Sequence, residues 1–143
     1  MHVVNKCTEY AALSLVRMAE TGGVVPAVEL AKTLDIPHPF LRGILRTLKE
    51  AGLVDSRRGQ NGGFHLAKDP EEITMLDLLD IFQGPFHLTE CQEGAPCSRE
   101  PFCPLKPELS FVEKEIILGL RGIRVKDLVK NTKNLQWKKE SIC

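Results

Sequence analysis

Three cysteines, Cys91, Cys97 and Cys103, stand at even spacing with five residues between each pair. Thiolates spaced this way in a flexible segment can converge on one soft centre, because sulfur ligands favour zinc, copper(I) or iron–sulfur clusters. Structural zinc sites use tighter pairs, with two to four residues between ligands. Gaps of five are wide for a zinc knuckle and suit a larger object. Cysteines are also small apolar packing residues, and Cys7, at the start of an apolar helix, reads that way, while Cys143 reads as an uninvolved thiol at the chain end. The loop trio differs because its surroundings are polar. Three thiolates leave a cluster one ligand short, and Lys106, three positions past Cys103, offers an ammonium that makes a poor ligand. An oxygen ligand from elsewhere is then required, with a partner subunit as one source.

A second group of residues is basic. On a helix opened by Pro39, the exposed face carries Arg42, Gly43, Arg46 and Lys49, with His38 beside Arg42 near its N-terminal end. A guanidinium can pair bidentately with guanine O6 and N7 in the major groove, which makes Arg42 the candidate for base readout. Gly43 beside it leaves room for close approach of backbone or base. Further on, Arg57, Arg58, Gly59, Gln60 and Asn61 lead into a hairpin tip with almost no side-chain bulk. A slender basic hairpin can enter a narrow minor groove, where the negative potential is enhanced, and Gln60 and Asn61 add hydrogen-bonding capacity for sugar, phosphate or base edges. Basic residues on a helix face are ordinarily just solvated. Here the weight lies on the ordered combination of basic helix, short spacing and glycine-rich basic hairpin.

The elements that must position these residues follow from periodicity. Apolar residues dominate Thr8 to Glu20, a largely buried helix ended by Gly22-Gly23. Pro26 falls in the first turn of a second helix that buries Val28, Leu30, Ala31 and Leu34, and Asp35-Ile36-Pro37 is a turn. The third helix has Phe40, Leu41, Ile44, Leu45 and Leu48 on one stripe and stops near Gly52. Leu53–Ser56 and Phe64–Ala67 are short strands around the basic tip. Thr74 with Asp77 forms a capping box for a short helix through Phe82. From Gly84 to Pro104, with four prolines and three cysteines, no apolar period persists, and a loop of that length in a small domain usually has a function. Helix returns over Pro107–Leu120, with Leu109, Val112, Ile116, Ile117 and Leu120 available for burial, and again over about Val125–Asn131. The fold expected is mainly α with a small β-hairpin wing. A winged helix-turn-helix DNA-binding domain (1–83) is followed by a cysteine-rich cluster-binding loop (84–104), a dimerisation helix and C-terminal helix (105–133) and a flexible tail (134–143).

Composition bounds the function. With 143 residues, 43% of them hydrophobic and 27% charged, the chain can build one real core and does not read as disordered. Its formal net charge of zero conceals a distribution of +3 over 1–68, −7 over 69–104 and +4 over 105–143, so the reading module is basic. No apolar run is long enough to span a bilayer and no signal-peptide order opens the chain, so it is read as cytoplasmic and not membrane-bound. In that compartment thiols stay reduced, which directs five cysteines toward metal or redox chemistry rather than disulfides. A hydrolase histidine cluster, a phosphate-cradling loop and a nucleophile elbow are all missing from the sequence. Cys-x-x-Cys, common in thiol–disulfide enzymes, is missing too. An iron–sulfur carrier would need no basic wing. The chain is therefore read as a regulator, not an enzyme.

On these residues the chain resembles the IscR/NsrR family of bacterial winged-helix regulators, which includes RirA-like and CymR-like members. The resemblance covers almost the whole chain and is strongest in the segment Leu53-Val54-Asp55-Ser56-Arg57-Arg58-Gly59-Gln60-Asn61-Gly62-Gly63-Phe64-His65-Leu66-Ala67. It continues through Ile73-Thr74-Met75-Leu76-Asp77-Leu78-Leu79 and the cysteine trio. It implies a homodimer crossed at the helix Pro107–Leu120, binding double-stranded DNA at a palindromic operator, with each cluster near the DNA-binding domain of the other subunit. In the NsrR-like branch a carboxylate in the partner's first helix completes the coordination; the matching residue here is Glu9. The IscR-like branch uses a histidine after the third cysteine, and Lys106 departs from that. The resemblance thus favours a [4Fe–4S] over a [2Fe–2S] cluster and a transcription regulator, of repressor type, that senses nitric oxide, redox state or iron status. The alternative within the same fold is zinc or thiol-oxidation sensing.

Overall fold

The computed structural model describes residues 2–133, and the expected tail, with Cys143, lies outside them. In chain order the elements are α1 (Lys6–Thr21), α2 (Ala27–Leu34), α3 (His38–Glu50), β1 (Val54–Arg57), β2 (Gly63–Leu66), α4 (Met75–Gln83), α5 (Leu105–Gly122) and α6 (Val125–Thr132). A single 3₁₀ turn, Glu100–Phe102, interrupts the long connection between α4 and α5.

Local chemistry sets the helix ends. The Asn5 side chain accepts from the Thr8 N–H at 2.9 Å and starts α1, while Gly22, in the left-handed region, closes it by donating to the Met18 carbonyl. At α4 the capping box is complete. Thr74 Oγ1 accepts from the Asp77 N–H, and the Asp77 carboxylate accepts from the Thr74 N–H at 2.9 Å. Pro26 stands one place before the first turn of α2, as its N-cap.

Leu15, Met18, Leu30, Leu41, Leu45 and Leu48 are almost wholly removed from water and join α1, α2 and α3 in one core. Ile73, Leu78 and Val125 extend that core under α4 and α6. Two members of the expected stripes face outward. Val28 is 66% exposed, because α2 turns Leu30, Ala31 and Leu34 inward and a residue two positions from Leu30 lies about 200° around the helix. Phe40 is 42% exposed in the first turn of α3, its ring nearly perpendicular to that of Tyr10, centroids 5.8 Å apart at 86°.

β1 and β2 pair antiparallel in the register Val54↔Leu66 to Arg57↔Gly63. The wing does not hang free. Val25, in the link before α2, exchanges backbone hydrogen bonds with Phe64, both at 2.8 Å, as a third, one-residue rung. A Cβ placed on Gly63 would meet the Val25 carbonyl oxygen at 2.3 Å, so only glycine lets the two backbones approach.

The chain closes on itself at a clasp. Met75 N–H donates to Ile123 O and Val125 N–H to Ile73 O, each at 2.9 Å, bringing the starts of α4 and α6 together. α6 thereby packs on α1, with Val125 fully buried. α5 is longer at both ends than its apolar period predicts, and none of its eighteen residues is buried.

Replacing Gly63 by alanine is expected to lower stability by about 1–3 kcal/mol in urea unfolding, since the rung to Val25 must open. A loss below ~0.5 kcal/mol, the usual range for a surface substitution, would show that the rung contributes nothing.

Candidate nucleic-acid interface and cysteine loop

α3 presents two opposite faces. Leu41, Ile44, Leu45 and Leu48 are buried, whereas Arg42, Gly43, Arg46 and Lys49 on the opposite face are exposed. His38 is half-buried and Pro39 exposed at the helix start. Arg42 and Arg46, one turn apart, therefore stand on the outer side of a helix whose inner side is locked into the core. Neither forms an ion pair among the described residues, so both guanidinium groups are available to an external anion. Lys49 is engaged instead: its ammonium donates to Ser56 Oγ at 2.6 Å and lies 3.9 Å from Asp55, tying the end of α3 to the wing.

The wing tip is wholly outward. Arg57, Arg58, Gly59, Gln60 and Asn61 are exposed, and Gly62 N–H donates to Gly59 O at 3.0 Å to close the turn. Because β2 is stitched to Val25 and Lys49 reaches Ser56, the outer face of α3 and the basic tip are tied into one frame. That frame offers an α-helix for a major groove and a slim hairpin for the neighbouring minor groove.

The cysteine loop is strapped to α5. The Glu113 carboxylate accepts from the Leu88 N–H at 2.8 Å and faces His87 Nδ1 at 3.4 Å, and Gln92 Nε2 donates to Ser110 Oγ at 3.5 Å. Thr89 Oγ1 lies 3.2 Å from Cys91 Sγ, and Glu100 N–H donates to Cys97 O at 3.1 Å. Cys91, Cys97 and Cys103 are all free thiols; Cys97 is exposed, while the other two are partly covered. Among the described residues no three His, Cys, Asp or Glu side chains are grouped closely enough to hold a metal ion. The loop therefore supplies the soft donors that the sequence identified without drawing them together.

Lys106 sits in the first turn of α5 and donates to Glu100. That hydrogen bond, against a smaller opposing desolvation, raises the Lys106 pKa above its ordinary value, and the charges of Glu100, Cys91 and Cys103 add to the shift. Lys106 thus stays an ammonium without a lone pair for a metal, and it lies within electrostatic reach of two of the three thiols. Glu9 stands in the first turn of α1, its side chain 43% exposed and paired with Lys6 at 2.8 Å. Sequence reasoning missed Lys49 as a link between α3 and the wing, and Glu113 as the anchor of the loop. Both act over distances that no periodicity reports.

Comparison with known proteins agrees with this architecture. The profile of the Rrf2 family, described as iron-dependent transcriptional regulator, matches residues 4–131. The chain belongs to the Rrf2 family. Among its relatives, the HTH-type transcriptional regulator NsrR of Shouchella clausii (strain KSM-K16) is 32% identical over 110 residues, which cover 76% of this chain and 74% of that one. Protein aau3 of Rhizobium meliloti (strain 1021) is 32% identical over 130 residues, 89% of this chain and 84% of that protein. In three dimensions the chain is similar to T. potens IscR, with a TM-score of 0.74 at 25% identity, over 93% of this chain and 90% of that one. It is equally similar to CymR (YrzC), the global cysteine regulator of B. subtilis, with a TM-score of 0.76 at 25% identity, over 92% and 98% of the two chains. This Rrf2 chain is accordingly a DNA-binding transcriptional regulator with a winged-helix fold. No helix among the described residues is long and apolar enough to cross a membrane.

With sites selected from randomised duplexes, Arg42→Ala should cost about 1–3 kcal/mol and relax base preference, while Arg58→Ala should weaken all sequences alike and reduce the salt slope by about 1. Equal losses for Arg42→Ala on selected and random DNA would remove it from base reading. Gly43→Ala, whose Cβ meets nothing within 4 Å in the free protein, should stabilise the helix by about 1 kcal/mol. It should still weaken DNA binding if the backbone there approaches a base or phosphate. Unchanged affinity would make Gly43 a bystander.

Proposed function

We propose that this regulator is a homodimeric, sequence-specific repressor whose cysteine loop carries an iron–sulfur cluster as its sensor. The observation that carries the reading is the loop itself. Three free thiols lie in one segment fastened to α5, a helix that packs on α4 and leaves four large apolar side chains exposed in the single chain.

Those exposed side chains support a dimer surface on α5. Leu105 and Val112, and beside them Phe111 and Leu118, are heptad-spaced pairs on adjoining stripes, 44–63% exposed. A second copy of α5 packed there would bury them, making 1–83 the reading domain and α5 the dimerisation element, with α6 returned onto the reading domain. A dimer of this kind reads two half-sites about one DNA turn, ~34 Å, apart, which calls for a palindromic operator. His38, Pro39, Arg42, Gly43 and Arg46 would meet the major groove, and Arg57, Arg58, Gly59, Gln60 and Asn61 the minor groove and backbone.

The donor set fits the cluster in its chemistry: three soft thiols, in a polar loop, with an adjacent fixed cation to offset negative charge. Cys91, Cys97 and Cys103 would hold it, and the group would supply a centre reactive toward nitric oxide, oxygen or iron loss. Lys106 stays protonated and does not ligate, so a fourth donor is needed. Glu9 of a second copy meets the requirement, being an outward carboxylate in the first turn of α1 with only a surface lysine to give up. Ligation there would tie α1 of one reading head to the loop of the other and fix the spacing of the two recognition helices. Release of the tie would shift the population of DNA-competent dimer.

Protein purified without oxygen should contain about four iron and four acid-labile sulfide per chain if a [4Fe–4S] cluster is held. About two of each would mean [2Fe–2S]; zinc, or no metal, would move the sensor to zinc occupancy or thiol oxidation and leave the regulator standing. Cluster removal should change affinity for a selected site by more than about threefold, ~0.65 kcal/mol, and a smaller change would refute the switch. Leu118→Glu should yield monomers in sedimentation, and a persistent dimer would move the interface elsewhere.

A further inference from the structure

Away from the cysteine loop, and sharing only Arg57 with the reading face, a cleft of about 480 Å³ opens between the C-terminal end of α1 and the wing. Its volume falls within the ~300–1,000 Å³ typical of small-molecule sites. The floor is apolar: Met18, Ala19, Val24, Leu66 and Pro70 line it, and Met18 is a fully packed core residue rather than a mobile surface chain. Arg57 and His65, from β1 and β2, supply the polar edge.

Both polar residues lack partners. Arg57 forms no ion pair among the described residues. His65 Nδ1 is the buried side-chain polar atom that finds no hydrogen bond there, a situation native structures rarely leave uncompensated.

The sign of the ligand follows from the neighbouring charges. Asp55 stands opposite His65 in the sheet register, but its carboxylate is committed, 3.9 Å from Lys49 and accepting the Ser56 N–H at 2.7 Å. The C-terminal end of α1 contributes at most about half a negative charge, and the Met18 carbonyl there is already capped by Gly22. One whole, unpaired guanidinium charge outweighs it.

We infer that this cleft is a second effector site, distinct from the cysteine loop, for a small molecule with an apolar body and one carboxylate that pairs with Arg57. The wing is thereby made answerable to an organic signal. Arg57 lies at the base of the basic tip, so a carboxylate bound there withdraws a positive charge from DNA. This coupling rests on the DNA-binding role of the wing, whereas binding to the cleft does not.

The test uses the full-length, ¹⁵N-labelled protein, titrated with octanoate and with 1-octanol, which has the same chain length and no charge. Octanoate is expected to shift the amide signals of residues 18, 19, 22–24, 57, 65 and 66 saturably, with Kd of about 1 mM or tighter, and at least about tenfold more tightly than octanol. In Arg57→Gln octanoate should fall to the level of octanol, and in Ala19→Phe, which fills the floor, both should be lost. Saturating octanoate should weaken wild-type binding to a selected DNA site by at least about threefold and leave Arg57→Gln affinity unchanged. Equal binding of octanol and octanoate overturns the carboxylate assignment. Shifts confined to α5, or no saturable shift, overturn the site. Tight octanoate binding with unaltered DNA affinity overturns the effector role alone.

Discussion

The architecture depends on the clasp at which α4 and α6 begin side by side. Two backbone hydrogen bonds, Met75 to Ile123 and Val125 to Ile73, oblige the chain to leave the domain and return to the same point. Everything from Gly84 to Gly122 is an excursion between those anchors. With α5 eighteen residues long, about 27 Å at 1.5 Å per residue, the cysteine loop is carried well away from the clasp while α6 is returned to the side of α1. A cysteine loop, a helix with no buried residue and a finished reading domain thus coexist without sharing a core.

That separation explains how the cysteine loop and the reading domain keep different physical characters. The reading domain is packed by leucines from three helices and held by capped ends and a stitched wing. The loop, by contrast, is held by side chains of α5, chiefly Glu113 and Ser110, and by its own turns. Elements with few buried apolar contacts open at lower free energy than a core does. The loop can therefore change shape around a ligand without loosening α3.

Much of this was legible in the sequence because it is local. The stripe Leu41, Ile44, Leu45, Leu48 announces α3, Thr74 with Asp77 announces the start of α4, and the glycine-rich basic stretch between two short apolar runs announces the hairpin. Helix bounds differ by one or two residues, for instance Leu105–Gly122 against Pro107–Leu120, since end turns are fixed by caps rather than by period. Val28 and Phe40 were misassigned because apolar character does not say which way a residue turns on a short helix. The return of α6 onto α1 and the cleft beside the wing were illegible for a different reason. Each is made by residues far apart in the chain that no local pattern connects. The same holds for the candidate site: Arg42 and Arg58 could be named from type and order, while the distance between the cysteine thiols depends on how the loop folds.

The rung between Val25 and Phe64 has a consequence for the DNA. It joins the wing to the link before α2, and Lys49 joins it to the end of α3, so the hairpin is tied to the helices at two separate points. A reader with a fixed gauge passes the burden of adjustment to what it reads. Base pairs between the two grooves, which no side chain touches, must then twist or narrow to suit the protein. Sequences with pliable pyrimidine–purine steps there do so at least cost, and discrimination extends to positions beyond the reach of any contact.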